Sequence, residues 1–181
     1  MRGCAGGAGE PLTVLTGRKP EIFVALAVVI LDQITKAMVR PSLALHQSVE
    51  LIPGFLDLTR VHNTGAAFGM LNSVDFPMKT LVLSLVAMIA LAGVAWYAAT
   101  VPLSDRLARI GVACVLGGAI GNLIDRATAG YVLDFVDAYW GNWHFWAFNV
   151  ADAAITVGVI FMILDMLGLG RQSDSHASNP V

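Results

Sequence analysis

The sequence predicts an all-α polytopic membrane protein with four transmembrane helices, a small β-structure and an interfacial segment on one side. Of its 181 residues, 56% are hydrophobic and only 13% are charged, whereas a typical soluble domain is about 25% charged. The apolar residues also gather in four long segments. This composition excludes a disordered chain, a disulfide scaffold and an ordinary soluble domain. The net charge of −2 gives no indication of a nucleic-acid partner.

Four apolar segments of 18 to 21 residues are the predicted spans, because about 20 residues of helix cross roughly 30 Å of hydrocarbon. They are residues 21–39, 80–100, 107–124 and 150–169. The first is too long for the apolar region of a signal peptide and lacks a convincing small-x-small cleavage site, so we expect it to be retained. A single membrane-embedded domain, residues 20–169, is therefore predicted between two tails, residues 1–19 and 170–181.

Basic residues predict the orientation of the spans. An even number of spans puts both tails on the same side of the membrane. Six basic residues lie in the tails and around the short connection between the second and third spans, against four in the other two loops. Lys and Arg collect on the cytoplasmic side of membrane proteins. We therefore predict cytoplasmic tails and two outer loops.

The two outer loops have distinct patterns. In the first, residues 49–52 and 55–61 bracket Pro53-Gly54 and partly alternate apolar and polar side chains, which is typical of a small β-hairpin. The second loop, residues 125–149, holds eight of the fifteen aromatic residues of the chain. Trp and Tyr are favoured where a membrane meets water. We therefore expect the second loop to be an interfacial segment.

Polar residues of the predicted spans collect at one depth. Asp32 and Lys36 stand four residues apart on the first helix, so they share a face and could pair. With that helix running outward, they lie in its outer half. Six more polar residues fall at the same outer level, namely Asn122, Asp125, Arg126, Asp134, Asn149 and Asp152. The inner half is nearly clean, with Glu21 and Asp165 near its edge. Polar groups that only joined helices would have no reason to share one depth, so we predict a functional site.

The residue types available at this depth disfavour several chemistries. The histidines of the outer loops are scattered, at His46, His62 and His144, so neither a metal site nor a cofactor is expected. No Gly-x-Ser-x-Gly elbow is present. Ser84 and Lys36 could form a catalytic dyad, but Lys36 is more simply the ion-pair partner of Asp32. Asp125 and the neighbouring Arg126 are expected to form a structural ion pair.

Carboxylates are the richer supply of reactive groups, and Asp134 and Asp152 are the suitable pair. Two carboxyl groups that share a site cannot both ionise cheaply, so one stays protonated near neutral pH. The ionised group can deprotonate a water while the neutral group donates a proton to a carbonyl oxygen. Asp152 stands three residues after Asn149, so helix capping is its alternative role. Because a helix N-terminus favours an anion, we expect Asp152 to be the base and Asp134 the acid.

Five short stretches carry a resemblance to a known family. They are Asp32-Gln33-Ile34-Thr35-Lys36, Asn63-Thr64-Gly65-Ala66-Ala67-Phe68, Gly121-Asn122-Leu123-Ile124-Asp125-Arg126, Val132-Leu133-Asp134-Phe135 and Phe148-Asn149-Val150-Ala151-Asp152. Their order and spacing resemble bacterial lipoprotein signal peptidase, or signal peptidase II, over about residues 20–169. Each stretch alone is weak, but five in order across four spans are highly specific.

The resemblance implies an aspartic endopeptidase of the bacterial inner membrane. Such an enzyme removes the signal peptide of a prolipoprotein just before a cysteine that carries diacylglycerol. Asp134 and Asp152 would be catalytic. The implied supporting or substrate-binding residues are Asp32, Lys36, Asn63, Gly65, Asn122, Asp125, Arg126 and Asn149.

The resemblance also implies a fold and an environment. The family has four helices, a periplasmic β-cradle and an interfacial helix, a periplasmic active site in contact with membrane lipid, and inhibition by globomycin. A monomer is expected. The chain departs from the family pattern at Ala147, where Pro is common, and at Ala153, where Ser is common. Both positions are near the site, and neither removes a catalytic group.

Two other classes of membrane protein could also carry such polar residues. A small proton-coupled transporter could use Asp32, Asp134 and Asp152 as a relay. Against it, the sequence shows no polar path through the inner half, no pair of broken helices and no repeat. A purely structural membrane subunit is disfavoured because its polar groups would not gather at one depth.

Overall fold

The computed structural model describes residues 18–65 and 76–169, and within them the chain forms four helices and a four-stranded sheet. In chain order the elements are α1 (Lys19–Ser42), β1 (Ser48–Ile52), β2 (Leu56–Asn63), α2 (Lys79–Thr100), α3 (Arg106–Ala129), β3 (Val132–Trp140), β4 (Trp143–His144) and α4 (Val150–Met166). Most of the first predicted tail, the whole of the second, and Ala66-Ala67-Phe68 lie outside the described residues.

Three helices of the described chain are long and apolar enough to cross a membrane, namely α1, α2 and α3. Each covers its predicted span. α4 begins at the predicted residue but ends at Met166 rather than at 169, because Gly168 adopts a left-handed φ of 81° and its amide donates to the Asp165 carbonyl at 2.9 Å. Its 17 residues make about 25 Å of helix. A fourth crossing therefore stays a prediction.

α3 is the central helix and packs against α1, α2 and α4. Glycine allows the close approach on two sides. A Cβ atom on Gly117 would lie 2.7 Å from the Ala25 carbonyl oxygen of α1, and one on Gly118 would overlap the Ala151 carbonyl oxygen of α4. Small residues of this kind let helix backbones come together where larger side chains would hold them apart.

The sheet is antiparallel with strand order β1-β2-β3-β4. The predicted hairpin at Pro53-Gly54 is confirmed, since β1 pairs with β2 on either side of it. β2 also pairs with β3, with Val61 opposite Asp134 and Asn63 opposite Val132. The protein is therefore not all-α, since it combines its helices with a small antiparallel sheet.

The second outer loop forms strands where an interfacial helix or loop was expected. Leu133 and Phe135 of β3 are buried against Val39 and Leu43 at the end of α1, so this stretch belongs to the core. Only the far end of the loop carries exposed aromatic side chains. The exposed tryptophans there are Trp140, Trp143 and Trp146.

The outward helix faces are apolar. In α2 only Lys79 is buried, and Ile89 and Trp96 are 73% and 75% exposed. A water-soluble monomer rarely exposes such a continuous apolar surface. These faces therefore match lipid as their surroundings.

Candidate active site

The predicted polar residues meet at one end of the helical bundle. They come from the outer half of α1, the last turns of α3, the end of β2, the middle of β3 and the first turn of α4. The buried members are Asp32, Lys36, Asn63, Asn122, Asp125, Asp134 and Asn149. Asp152 and Arg126 are partly buried. The residues that were predicted to lie at one depth thus form one connected cluster.

Lys36 lies at the centre of this cluster and is 1% exposed. Its Nζ atom is 2.9 Å from Asp32 Oδ2, 3.0 Å from Asp125 Oδ2 and 3.0 Å from Asn122 Oδ1. The Asp32–Lys36 ion pair predicted from their spacing is confirmed. An ammonium group has three protons and no acceptor, so these three contacts account for its hydrogen-bonding capacity. This leaves no support for a dyad of Lys36 with Ser84.

The expected ion pair of Asp125 with Arg126 is wrong. Asp125 instead contacts Lys36 and, at 3.7 Å, Arg40 Nη2, while its Oδ2 accepts the backbone N–H of Leu133 at 3.0 Å. Adjacent residues on a helix point in different directions, whereas groups from neighbouring elements can converge. Arg126 donates from Nη2 to the Gly65 carbonyl oxygen at 3.0 Å.

Asp32 connects α1 to the start of α4. Its Oδ1 accepts the backbone N–H of Ala151 at 3.0 Å, and its Oδ2 accepts Gln33 Nε2 at 3.1 Å. Gly121 allows this approach, since a Cβ atom there would lie 2.6 Å from Asp32 Oδ2. No sequence pattern indicates the contact with Ala151, because the acceptor and the donor are 119 residues apart.

Asp134 is held by two asparagine amides. Asn63 Nδ2 donates to its Oδ2 at 3.0 Å, and Asn149 Nδ2 donates to its Oδ1 at 2.7 Å. Burial raises the pKa of Asp134 to about 7, and the negative charge of Asp152 acts in the same direction. The two amide hydrogen bonds and the Lys36 charge oppose that shift of the pKa. This carboxyl group is therefore poised to hold or lose a proton near neutral pH.

Asp152 lies in the first turn of α4, and the predicted cap is confirmed. Its backbone N–H donates to Asn149 Oδ1 at 3.0 Å. Its own carboxylate takes no part in that cap, since its Oδ1 accepts Asn122 Nδ2 at 2.7 Å. Asn149 Nδ2 also lies 3.2 Å from Asn122 Oδ1. The Asp134 and Asp152 carboxyl groups are thus linked through the amides of Asn149 and Asn122.

A cavity of about 330 Å³ opens beside Asp152. Asp134 is not among its lining residues and is connected to Asp152 through the amides of Asn149 and Asn122. The polar end of the cavity is formed by Asn63, Asn122, Arg126 and Asp152. The rest of the wall is apolar, mostly from α2 and α3: Leu83, Val86, Ala87, Ala90, Leu91, Val94, Val115, Ala119, Val132 and Ile155. Among the described residues, no group of three or more His, Cys, Asp or Glu side chains is arranged to hold a metal ion. The arrangement suits a water attack directed by two carboxyl groups on an amphipathic chain.

Comparison with known proteins gives consistent results. The family model described as Signal peptidase (SPase) II matches residues 24–168. A lipoprotein signal peptidase of Symbiobacterium thermophilum is 42% identical over 151 residues, which cover 83% of this chain and 96% of that protein. The lipoprotein signal peptidase of Pseudomonas aeruginosa is 38% identical over 151 residues, covering 83% of this chain and 89% of that protein.

Solved structures of bacterial membrane enzymes have the same fold. One superposes with a TM-score of 0.69 at 30% identity, over 90% of this chain and 94% of that chain. A second has a TM-score of 0.72 at 28% identity, over 82% of this chain and 92% of that chain. The similarity therefore spans both the helices and the sheet that carry the polar cluster.

Proposed function

The chain belongs to the signal peptidase II family, and we propose that it uses Asp134 and Asp152 as an aspartic dyad. As a member of that family it is a membrane-embedded hydrolase of lipoprotein processing, which removes signal peptides from prolipoproteins. The proposal adds the chemistry: cleavage just before the diacylglyceryl-modified cysteine, by a water activated between the two carboxyl groups.

The observation that carries this proposal is the linked pair of carboxyl groups, one of which, Asp152, lines the cavity. Asp152 Oδ1 accepts Asn122 Nδ2, and Asp134 Oδ1 accepts Asn149 Nδ2, each at 2.7 Å. Asp152 also lies at the positive end of α4, which favours its ionised form. Asp134 has a pKa raised to about 7 and so retains a proton over the lower half of the neutral range.

In the proposed reaction, Asp152 removes a proton from water, and the resulting hydroxide attacks the scissile carbonyl carbon. Asp134 donates its proton to the carbonyl oxygen as the tetrahedral intermediate forms. As that intermediate collapses and the C–N bond breaks, protonated Asp152 gives its proton to the leaving amine nitrogen, and Asp134 takes back a proton from one hydroxyl group of the intermediate. Both carboxyl groups thereby return to their starting states. No metal and no covalent intermediate are needed.

The cavity supports the proposed substrate. A diacylglyceryl-modified cysteine stays in the bilayer, so its peptide bond must be cut near the membrane surface. The apolar wall from α2 and α3 suits the hydrophobic signal peptide, and Asn63 and Arg126 at the polar end are candidates to position the peptide or the lipid head group. Globomycin, a cyclic peptide inhibitor of the family, is expected to compete for this cavity.

The proposed topology follows from the same site. We infer four crossings by residues 20–169, with both tails in the cytoplasm and the active site on the periplasmic side of the inner membrane. α4, at about 25 Å, would cross only if the bilayer thins locally or its flanking residues reach the interface.

One assay tests the proposed function. The full chain in detergent is incubated with a diacylglyceryl-modified prolipoprotein, with and without globomycin, beside the Asp134→Asn and Asp152→Asn variants. We expect cleavage by the wild type only, and its suppression by globomycin. Asp105→Asn is the matched control, because Asp105 precedes α3 at the opposite end of that helix and makes no side-chain cap. Cleavage that survived either dyad substitution would exclude the dyad mechanism.

A further inference from the structure

Three asparagine side chains around the two aspartates all point their NH₂ groups, and not their oxygens, at the carboxyl groups. Asn63, Asn122 and Asn149 each direct Nδ2 at a carboxylate oxygen, at 3.0, 2.7 and 2.7 Å. An ionised carboxylate only accepts hydrogen bonds. An amide turned over in any of these places would set oxygen against oxygen. The orientation of the three amides therefore decides whether the carboxylates are supported or repelled.

Two of the amides are oriented by the main chain. The oxygen of Asn63 accepts the backbone N–H of Gly65 at 2.9 Å, and the oxygen of Asn149 accepts the backbone N–H of Asp152 at 3.0 Å. A backbone N–H can only donate, so turning either amide over would set donor against donor. No substitution other than proline removes these two donors.

The third amide is oriented by a side chain. The oxygen of Asn122 lies 3.0 Å from Lys36 Nζ, and an ammonium group can only donate. The other donor at this oxygen is Asn149 Nδ2, at 3.2 Å, which also serves Asp134 Oδ1 at 2.7 Å. Lys36 therefore makes the shorter and charge-assisted contact to Asn122.

We propose that Lys36 is a positioning residue that, through Asn122, keeps an N–H donor on Asp152. Lys36 is 1% exposed and its three protons are taken up by Asp32, Asp125 and Asn122, so it acts on the amide and not on the substrate. The proposal rests on the proposed function and gives Lys36 a role in the reaction beyond its ion pairs with Asp32 and Asp125.

A merely structural role for Lys36 must be separated from this one. Its charge faces the carboxylates of Asp32 and Asp125, so removing it leaves buried charges uncompensated and destabilises the fold. A positioning role makes a different prediction, because the effect of Lys36 on turnover must then pass through Asn122. A double-mutant cycle measures that dependence.

The cycle compares Lys36→Met, Asn122→Leu and the double variant, with Lys19→Met as a control at the exposed start of α1. The full chain is assayed with the lipidated prolipoprotein, below the melting temperature of each variant. We expect Lys36→Met to lower kcat about 10- to 100-fold, as for a lost hydrogen bond to a charged group, with KM changed less than about twofold. In the Asn122→Leu background the same change should lower kcat less than about threefold.

The pH profile gives a second readout. Lys36→Met removes both a nearby positive charge and the support of the N–H donor on ionised Asp152, so the acid limb of the kcat profile should move to higher pH. Asn122→Leu keeps the charge and removes only the donor, so it should move the limb in the same direction if the amide carries the effect. If Lys36→Met does not fold, the cycle is run in the Asp125→Asn background. Replacing Lys36 and Asp125 together removes one positive and one negative charge, so the net charge of the buried cluster of Asp32, Lys36 and Asp125 stays as in the wild type.

The outcomes are distinguishable. Losses from Lys36→Met and Asn122→Leu that multiply independently, or activity that only follows the folded fraction, would overturn the positioning role. An inactive wild type would instead defeat the proposed function itself.

Discussion

Asp32 accepts the backbone N–H of Ala151 at 3.0 Å, although the two residues are 119 positions apart. This hydrogen bond ties the outer half of α1 to the first turn of α4. Asp152 is the next residue along that turn, so the position of its carboxylate depends on a contact made by its neighbour. The ion pair of Asp32 with Lys36 holds the acceptor in place.

Asp32→Asn tests this connection. Asp32 faces donors at both of its oxygens, the Ala151 N–H at Oδ1 and Lys36 Nζ at Oδ2. An asparagine there has only one oxygen, so whichever way its amide is turned, its NH₂ group sets donor against donor at the other contact. Because Lys36 retains Asp125, we expect a loss of about 1–3 kcal/mol of stability and a lower kcat. Thermal melting in detergent measures the first and the cleavage assay the second. Met38→Leu, on an exposed face of the same helix, is the control. An unchanged melting temperature would contradict the structural role of Asp32.

The stability of the protein should depend on pH through Asp134. The pKa of this group is raised from 3.8 to about 7 in the folded protein. Its contribution is therefore fully present below pH 3.8 and is lost as the pH rises towards 7, by no more than about 4 kcal/mol. Asp134→Asn imitates the protonated form. We expect the variant to be the more stable protein at pH 8, with the difference shrinking towards pH 5, as followed by melting temperature. A difference independent of pH would mean that Asp134 does not titrate in this range.

The activity should depend on pH through the same group. If Asp134 is the acid of the dyad, turnover needs its protonated form and should fall as the pH rises through about 7. The measurement is kcat/KM for the lipidated prolipoprotein between pH 5 and 9. The limb belongs to the coupled pair with Asp152, so its apparent pKa is assigned to the dyad. Constant kcat/KM from pH 6 to 9 would remove Asp134 from the acid role.

Local spacing accounts for the parts of the site that were predicted. The ion pair of Asp32 with Lys36 follows from a separation of four residues on a helix, and the cap of Asn149 on Asp152 follows from a separation of three at a helix start. The hairpin at Pro53-Gly54 follows in the same way from a turn between two alternating segments. Each of these contacts lies within one element or one turn.

Long-range pairing accounts for the parts that were missed. The partners of Asp125 are Lys36, Arg40 and the backbone of Leu133; none adjoins Asp125 in sequence, and no spacing rule indicates them. The backbone of the second outer loop was also missed: a helix or loop was expected, but pairing with β2 and burial of Leu133 organise much of it as β3. Aromatic content indicates whether a segment lies near a membrane interface, but it does not predict whether the segment is a strand, a helix or a loop.

Two glycines on different helices should respond oppositely to alanine. In α3, a Cβ atom on Gly121 would lie 2.6 Å from Asp32 Oδ2, so Gly121→Ala should displace that carboxylate, lower the melting temperature and lower kcat. In α2, a Cβ atom on Gly93 would have nothing within 4 Å. Gly93→Ala should therefore leave kcat unchanged and stabilise the protein by about 0.5–1 kcal/mol, from helix propensity alone. A similar response of both variants would show that the approach of Gly121 to Asp32 has no energetic weight.

The exposed tryptophans at the end of the β3–β4 hairpin should lie at the membrane interface. Trp140, Trp143 and Trp146 are 81%, 66% and 62% exposed, and tryptophan is most stable where its ring meets lipid and its N–H meets water. The Trp96→Phe variant leaves only these three tryptophans in the chain. In bilayers, its fluorescence should be quenched strongly by lipids brominated near the head group and weakly by lipids brominated near the end of the acyl chain.

Trp96 supplies the matched control for that measurement. It is 75% exposed on α2, within a predicted span, so a variant with Trp140, Trp143 and Trp146 replaced by Phe reports on a helix site. Measuring the two variants in vesicles of identical composition ensures that any difference in quenching comes from the depth of the tryptophans and not from the lipid. Quenching of the hairpin tryptophans by a water-soluble quencher alone, with no effect of either brominated lipid, would place the hairpin clear of the membrane.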